Sequence, residues 1–321
     1  MKQATEPGIA PAKYCVNLLE KLQTEESSCK SKLLRFLGKG ENDVYNISRP
    51  FRTNNKIVIA GRVEKREDWA KSHIAFFERA GKTTWKIMDQ APILKMEDPF
   101  ITILGEEIIL GGVEVYTVNN KFDSNEIGYK TVFYRGKDIF SLKKFAQGPD
   151  KMKDIRFTPL ANEKIGVCTR PQGGQYCRGQ IGYITISRIE ELNNENLLQG
   201  AKIIDLFFSS NAWGGANELH ALRDGKIGIL GHIAYEDDNN RKHYYAITFV
   251  HDPITHETSP VEILATRKNF PRADSKKPEL EDIVFPGGLL RHDNGYATLY
   301  AGLSDAHAGY ITLPDPFKDF C

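Results

Sequence analysis

Residues 96–103 read MEDPFITI, residues 107–112 EIILGG and residues 129–134 YKTVFY. An acidic opening is followed by a short apolar strand, a turn, and two further strands. The same order returns four times. The other openings are ENDVYNI (41–47), MKDIRFTPL (152–160), GANELHAL (215–222) and LEDIVFPGGL (280–289). The second strands read KIVIAG (56–61), KIGVC (164–168), KIGILG (226–231) and GYATLYAG (295–302). The third strands read SHIAFFE (72–78), GQIGYITI (179–186), HYYAITFV (243–250) and HAGYITL (307–313). The acidic residues Asp43, Asp98, Asp154, Glu218 and Asp282 are spaced 55, 56, 64 and 64 residues apart. One small antiparallel sheet per fixed period predicts a propeller. The fold class is therefore all-β, a five-bladed β-propeller with a short N-terminal helix. First strands line a propeller's axis, so these five carboxylates are expected to converge on one pocket.

Five repeats use nearly all of the 321 residues. Residues 1–30 form an N-terminal helical extension and 31–321 a single propeller domain. The blades run over 33–81, 94–145, 152–208, 214–265 and 283–313. Over 10–23, Cys15, Leu18, Leu19 and Leu22 share one helical face behind Pro11. This helix caps the propeller or supplies a homo-oligomer contact. The segment SKLLRFLG (31–38) is strand-like without a partner in its own repeat. It is expected to complete the last blade and so remove a free sheet edge. Residues 186–197 suggest a short helix on the rim, and 267–281 a surface loop.

Net charge is +1, with no cationic run, so neither nucleic acid nor an anionic membrane is expected as a partner. Lys143–Lys144 and Lys276–Lys277 read as solvated loop positions. No apolar stretch reaches the roughly 20 residues a bilayer span needs, and residues 1–15 lack the apolar run of a secretory signal. The cysteines at 15, 29, 168, 177 and 321 show no zinc spacing. They suit reduced thiols in a cytoplasmic protein.

Asp98 precedes Pro99, whose ring disfavours helical backbone at Asp98. An extended, confined carboxylate at the pore mouth suits a general acid, although an Asp in that place also caps turns. Arg62 and Glu64 alternate onto one face of a strand. They form either a rim ion pair or a sugar- or anion-binding pair. Asp154 and Arg156 likewise share a face, and Arg170 follows on the next strand. Two guanidinium forks suit a phosphate or carboxylate, or they neutralise nearby acids. Only one of Asn217 and Glu218 points at the axis; Glu218 is taken as the second carboxylate. His232 sits in an apolar strand, as a core residue or a ligand. Asp305 is placed to bond sugar hydroxyls, and Trp213 and Trp69 are candidates for stacking on a sugar ring.

These motifs, in order, resemble the five-bladed propellers of glycoside hydrolase family 130, the β-mannoside phosphorylases and β-mannosidases, through a related bacterial branch. The likeness spans about residues 40–315. It implies an enzyme that cleaves a glycosidic bond in an oligosaccharide or glycoside, with Asp98 as catalytic acid. It implies that Arg156, Arg170 and His232 hold phosphate, and that Arg62 and Asp305 face the sugar with Glu64, Asp154 and Asn217. No metal or organic cofactor is implied; inorganic phosphate would be the co-substrate. In a hydrolytic version, Glu218 or Asp43 activates water. The chain departs from the family pattern at Phe100, in GANELHAL, and at Ile233 after the histidine. A furanoside substrate and a non-catalytic, sugar-binding propeller stay open as alternatives.

Overall fold

The computed structural model describes residues 18–20, 30–118, 126–176, 178–206 and 212–320. They form a five-bladed β-propeller. Blade one comprises Asp43–Tyr45 and Phe51–Thr53 on the inner side, then Lys56–Lys65, Asp68–Arg79 and Thr84–Ile87. Blade two is Glu97–Leu104, Glu107–Val118, Glu126–Gly136 and Lys143–Gln147. Blade three is Arg156–Pro159, Ile165–Thr169, Gly182–Ile186 and Lys202–Ile203. Blade four is Ala212–Ala221, Ile227–Glu236, Lys242–His251 and Glu262–Ala265; blade five is Asp282–Arg291, Tyr296–Leu303 and His307–Pro314.

Chain closure divides SKLLRFLG between two blades. Lys30–Leu33 pairs antiparallel with His307–Pro314 as the outer strand of blade five. Arg35–Leu37 then crosses to blade one and pairs parallel with Thr84–Ile87. The first blade and the last are thus joined through one short segment, and a former sheet edge is covered.

The core explains why the second strands read as near-continuous apolar runs. Adjacent residues of a strand point to opposite faces, and here both faces are buried. Val58 and Ala60 pack toward blade two, while Ile59 between them packs in the cluster holding Ala308 of blade five. Ile108 and Leu110 join blade one, and Ile109 joins blade three. Ile229 faces blade three and Leu230 blade five. Five apolar clusters therefore fill the five junctions between neighbouring blades.

The rim segment expected to be helical is a 3-10 turn, Ile189–Asn193, followed by the helix Glu195–Gln199. The helix expected over 10–23 lies mostly outside the described residues. Residues 18–20 are helical, and Leu18 packs in the cluster between blades three and four. Among the described residues, no helix is long and apolar enough to cross a membrane.

Candidate functional site

Three inner strands change register as they approach the axis: between Glu97 and Phe100, between Ala216 and Glu218, and between Pro286 and Gly288. Each β-bulge re-aims one residue. In blade one the matching break is Asn46, between two short inner strands; in blade three it is Asp154, just before Arg156–Pro159. The equivalent positions are thus Asn46, Asp98, Asp154, Asn217 and Gly287. Asn46, Asp98 and Asp154 have φ of 42°, 51° and 60°. That left-handed region is one that Asn and Asp enter more readily than most residues. The expected extended backbone at Asp98 is corrected accordingly. Pro99 disfavours the right-handed helical region, and the bulge sends Asp98 to positive φ instead.

Arg62 is the hub of one half of the site. Its Nη1 reaches Asp98 Oδ1 at 3.2 Å, and its Nη2 reaches Glu64 at 2.6 Å and Glu97 at 3.0 Å. Its Nε donates to Ser72 Oγ at 2.9 Å. Asn46 Nδ2 also donates to Asp98 Oδ1, at 2.8 Å. Both bonds to Asp98 go to the same oxygen, and Oδ2 takes no hydrogen bond among the described residues. Glu64 is buried and takes Tyr45 Oη at 2.9 Å and the Lys276 ammonium. Burial opposes its charge, but Arg62 and Lys276 outweigh burial and hold the carboxyl below its usual range. Glu97 moves the other way. Burial, against the pull of Arg62, raises it from 4.5 to about 7. Asp305, with φ of 51°, makes no hydrogen bond among the described residues. Burial raises it, against Arg62 and with the repulsion of Asp98.

The other half surrounds Asp154. Arg170 Nη1 lies 3.4 Å and Arg156 Nη2 3.6 Å from its carboxylate, and all three side chains are almost fully buried. Burial works against the charge of Asp154; Arg170 and Arg156 prevail and hold it low. Arg156 donates to the carbonyls of Asn217 and Ile155 and lies 3.8 Å from the centre of the Phe100 ring. Arg170 donates to the carbonyls of Gly214 and Arg178, while its buried Nη1 has no hydrogen-bond partner. Gly215 makes the crowding possible. A Cβ there would lie 2.8 Å from His232 and 2.9 Å from Asp154.

His232 has a defined tautomer. Asn217 Nδ2 donates to the Pro286 carbonyl at 2.8 Å, so Asn217 presents its Oδ1 to His232 Nδ1, also at 2.8 Å. An oxygen there requires Nδ1–H. Burial lowers the imidazole from 6.5 to about 3, against the pull of Asp154. The ring is therefore neutral, and Nε2 offers a lone pair rather than a proton. Tyr244 stacks at 5.6 Å and Phe285 tilts against it at 5.2 Å. The two halves of the site share one electrostatic field, since Asp98 acts on Arg156 as well as on Arg62.

Asp43 and Asp282 are engaged by other partners instead of meeting Asp98 as the acidic spacing predicted, and Glu218, although its charge also acts on Arg156, is held by partners of its own. Asp43 is paired through both oxygens with Arg66, which also reaches Asp274. Asp282 is engaged by His243 at 2.8 Å and Tyr245 at 2.7 Å. Glu218 lies one residue past the bulge. It accepts Arg49 Nε at 2.5 Å and the Leu289 amide at 2.6 Å, with His220 at 3.2 Å. The residues that reading passed over are Asn46, Glu97, Tyr45, Tyr244 and Lys276. Lys276 is not a solvated loop position, since its ammonium enters the site and pairs with Glu64. Trp213 is buried, donating to Tyr244 Oη at 3.1 Å beneath the Arg178 guanidinium; the side chain of Trp69 lies outside the described residues. Among the described residues, no group of three His, Cys, Asp or Glu side chains is placed to hold a metal ion.

A family model described as a protein of unknown function, DUF1861, matches residues 20–319. No curated protein matches the chain. Among solved structures, a mannose phosphorylase from Leishmania mexicana, in complex with a phosphate ion, is 35% identical with a TM-score of 0.87. The match covers 96% of this chain and 95% of that one. A GDP-Man-dependent mannosyltransferase from the same organism is 33% identical with a TM-score of 0.84, covering 94% of each chain. A β-1,2-mannobiose phosphorylase from Listeria innocua, 12% identical with a TM-score of 0.61 over 88% of this chain and 90% of that one, shares the fold.

Proposed function

We propose, from the premise that this chain belongs to the DUF1861 family, that it is a carbohydrate-active enzyme, a phosphorylase acting on a mannoside. The observation that carries this reading is the cradle of Arg156, Arg170 and His232 around Asp154, next to Asp98, with Arg170 Nη1 lacking a hydrogen-bond partner. The phosphate-bound relative at 35% identity supports the same reading.

Phosphate docks on the Arg170 and Arg156 side of the cradle. Neutral His232 Nε2 accepts the proton of a P–OH group and so orients the nucleophile. A phosphate oxygen forms the new bond to the anomeric carbon as the bond to the leaving oxygen breaks. Asp98 Oδ2 delivers its proton to that leaving oxygen, directly or through a sugar hydroxyl. Asn46 and Arg62 hold the other oxygen, and positioning of this kind is what general acid catalysis requires. Asp305 and Arg62 face the sugar, and the buried Glu64, whose oxygens are taken by Tyr45, Arg62 and Lys276, holds Arg62 in place. Water activation by Glu218 or Asp43 is disfavoured, because Arg49 with Leu289, and Arg66, already occupy their oxygens.

Mannosyl transfer from a nucleotide-activated donor is a second reading, favoured by the transferase relative at 33% identity. The deciding experiment supplies purified protein with β-mannosides, with and without phosphate, and with GDP-mannose. Phosphate-dependent release of mannosyl phosphate is expected. Cleavage without phosphate selects a hydrolase, turnover of GDP-mannose alone selects the transferase, and binding without turnover selects a sugar-binding propeller.

A further inference from the structure

A cavity of about 740 Å³ opens between blades four and five, and none of the axial site residues lines it. Five cations do. Arg241 and Lys242 stand at the head of a blade-four strand, Arg267 and Lys268 in the turn after Glu262–Ala265, and Arg272 just beyond. The sequence has no cationic run because the fold, not the chain, gathers them. Glu279, Glu281 and Asp282 share the walls. Asp282 is already taken by His243 at 2.8 Å and Tyr245 at 2.7 Å. None of the five cations makes an ion pair among the described residues, so positive charge is in excess.

Arg267 is the half-buried member of the group. Its Nε donates to Ser304 Oγ at 3.0 Å and its Nη1 to the Pro271 carbonyl at 2.9 Å, while Nη2 donates to no described residue. Burial opposes its charge by more than Asp282 and Glu281 support it, and lowers the group from its ordinary range. A concavity lined by one sign of charge concentrates counter-ions. Guanidinium forks match phosphate oxygens in pairs, and lysine adds a point charge. The volume is that of a small-molecule site, and the excess of cations calls for more than one negative charge on its ligand.

The same walls reach the axial site through Ser304. The Ser304 carbonyl accepts the Lys276 amide at 3.0 Å, and Asp305 is the next residue. Lys276 lies between Arg272 and Pro278, which line the cavity, and its ammonium pairs with Glu64. Ser304 and Asp305 have φ of 53° and 51°, a conformation that persists where the surroundings fix it.

We propose that this cavity binds a small molecule carrying two or more phosphate groups, and that the bound anion fixes Lys276 and Asp305 through Ser304. It is an effector site, acting on the axial pocket from outside it. Such a site would serve a phosphorylase, a transferase or a sugar-binding propeller equally, so it stands apart from phosphorolysis.

The test is calorimetric titration of tripolyphosphate and of fructose 1,6-bisphosphate into the wild type, K268E/R272E and K137E/K143E. Low ionic strength leaves exposed charges least screened. Lys137, Lys143, Lys268 and Arg272 are all exposed, so both double variants should fold, as a thermal melt would show. Lys137 and Lys143 do not line the cavity and match the change in net charge. The wild type should bind at least one probe. K268E/R272E should weaken that binding by about tenfold or more, as the loss of charged hydrogen bonds implies, while K137E/K143E stays within about twofold. No binding to the wild type overturns the site. So does equal weakening in both variants, a mere net-charge effect, or unchanged binding in K268E/R272E, which would place the probe on the Arg156–Arg170 cradle. Hydrogen exchange reads the link to the axis. At a probe concentration that saturates the wild type alone, exchange should slow at the Lys276 amide and over 303–306 in the wild type and not in K268E/R272E. Exchange unchanged there in the wild type, or slowed equally in the variant, overturns the effector role.

Discussion

Gly215→Ala tests the phosphate cradle without removing any of its functional groups. The added Cβ would lie 2.8 Å from His232 Cε1, 2.9 Å from Asp154 Oδ2 and 3.0 Å from Arg170 Cδ. Comfortable carbon contacts are about 3.5–4.0 Å, so each neighbour must retreat by roughly half an ångström or more. None has space to do so freely, because the three residues are 2–3% exposed. Overpacking of this kind costs about 1–3 kcal/mol. At about 2–4 °C per kcal/mol for somewhat shorter chains, the protein stays folded with a Tm lower by several degrees. Function should suffer more than stability. Displacements approaching an ångström in a catalytic constellation cost up to about 100-fold, so kcat/KM for phosphate should fall by about 10- to 100-fold. The assay is release of mannosyl phosphate against phosphate concentration, with calorimetric titration of phosphate and a thermal melt on the same preparation. A several-degree loss of Tm with phosphate affinity and kcat/KM within twofold of wild type would refute the assignment. The cluster would then be a packed ion network and nothing more.

Asp98→Asn keeps an oxygen for Asn46 and Arg62 but removes the transferable proton. Its melt should stay close to wild type while turnover falls at least about 100-fold; near-normal turnover would take Asp98 out of the mechanism. Lys276→Met leaves the fully buried Glu64 carboxylate short of one partner. Breaking a buried pair costs about 3–5 kcal/mol, to be read by chemical denaturation, and E64Q in the same chain should recover part of the loss. Glu97 is raised from 4.5 to about 7 in the folded state. Its contribution to stability is therefore full below about pH 4.5 and lost as pH rises through about 7. Wild-type stability should fall relative to Glu97→Gln between pH 5 and 8, and parallel pH curves for the two proteins would contradict the raised carboxyl.

The propeller was legible because each blade buries both faces. That arrangement turns Ile57–Ala60, Ile108–Leu110 and Ile227–Leu230 into apolar runs at a fixed period. The axial site was legible only in part. Arg62 and Glu64 meet at 2.6 Å on one strand, as period-two alternation requires; Asp154 and Arg156 lie 3.6 Å apart, but Asp154 stands before the strand at positive φ, so alternation is not what brings them together. The acidic alignment failed where a bulge intervened. One extra residue at Asn217 changes which neighbour faces the axis, so Glu218 turns to Arg49 and Leu289 instead. Asp43 and Asp282 stand at strand starts, three and five residues short of the break. Lys276 carries no periodic signal, since it arrives from the segment between blades four and five.

What repeats at the axis is a backbone requirement rather than a charge. Asn46, Asp98, Asp154, Asn217 and Gly287 fall at one structural position, and each is a residue type that adapts to a bulge or to positive φ. A left-handed non-glycine residue costs on the order of 1–3 kcal/mol and persists where its surroundings fix it. At Asp98 that fixing comes from Asn46 and Arg62, and at Asp154 from Arg156 and Arg170. The two positions kept as carboxylates are thus the two gripped by guanidinium groups. The positions given to Asn46 and Asn217 serve as their supports, one orienting Asp98 and the other setting the proton on His232. Gly287, where a Cβ would meet the Ile47 carbonyl at 1.8 Å, admits the blade-one backbone. Proposed acid, anion cradle and closure of the ring therefore divide a single repeated position among them, which is why searching the repeats for acids alone found two of the five.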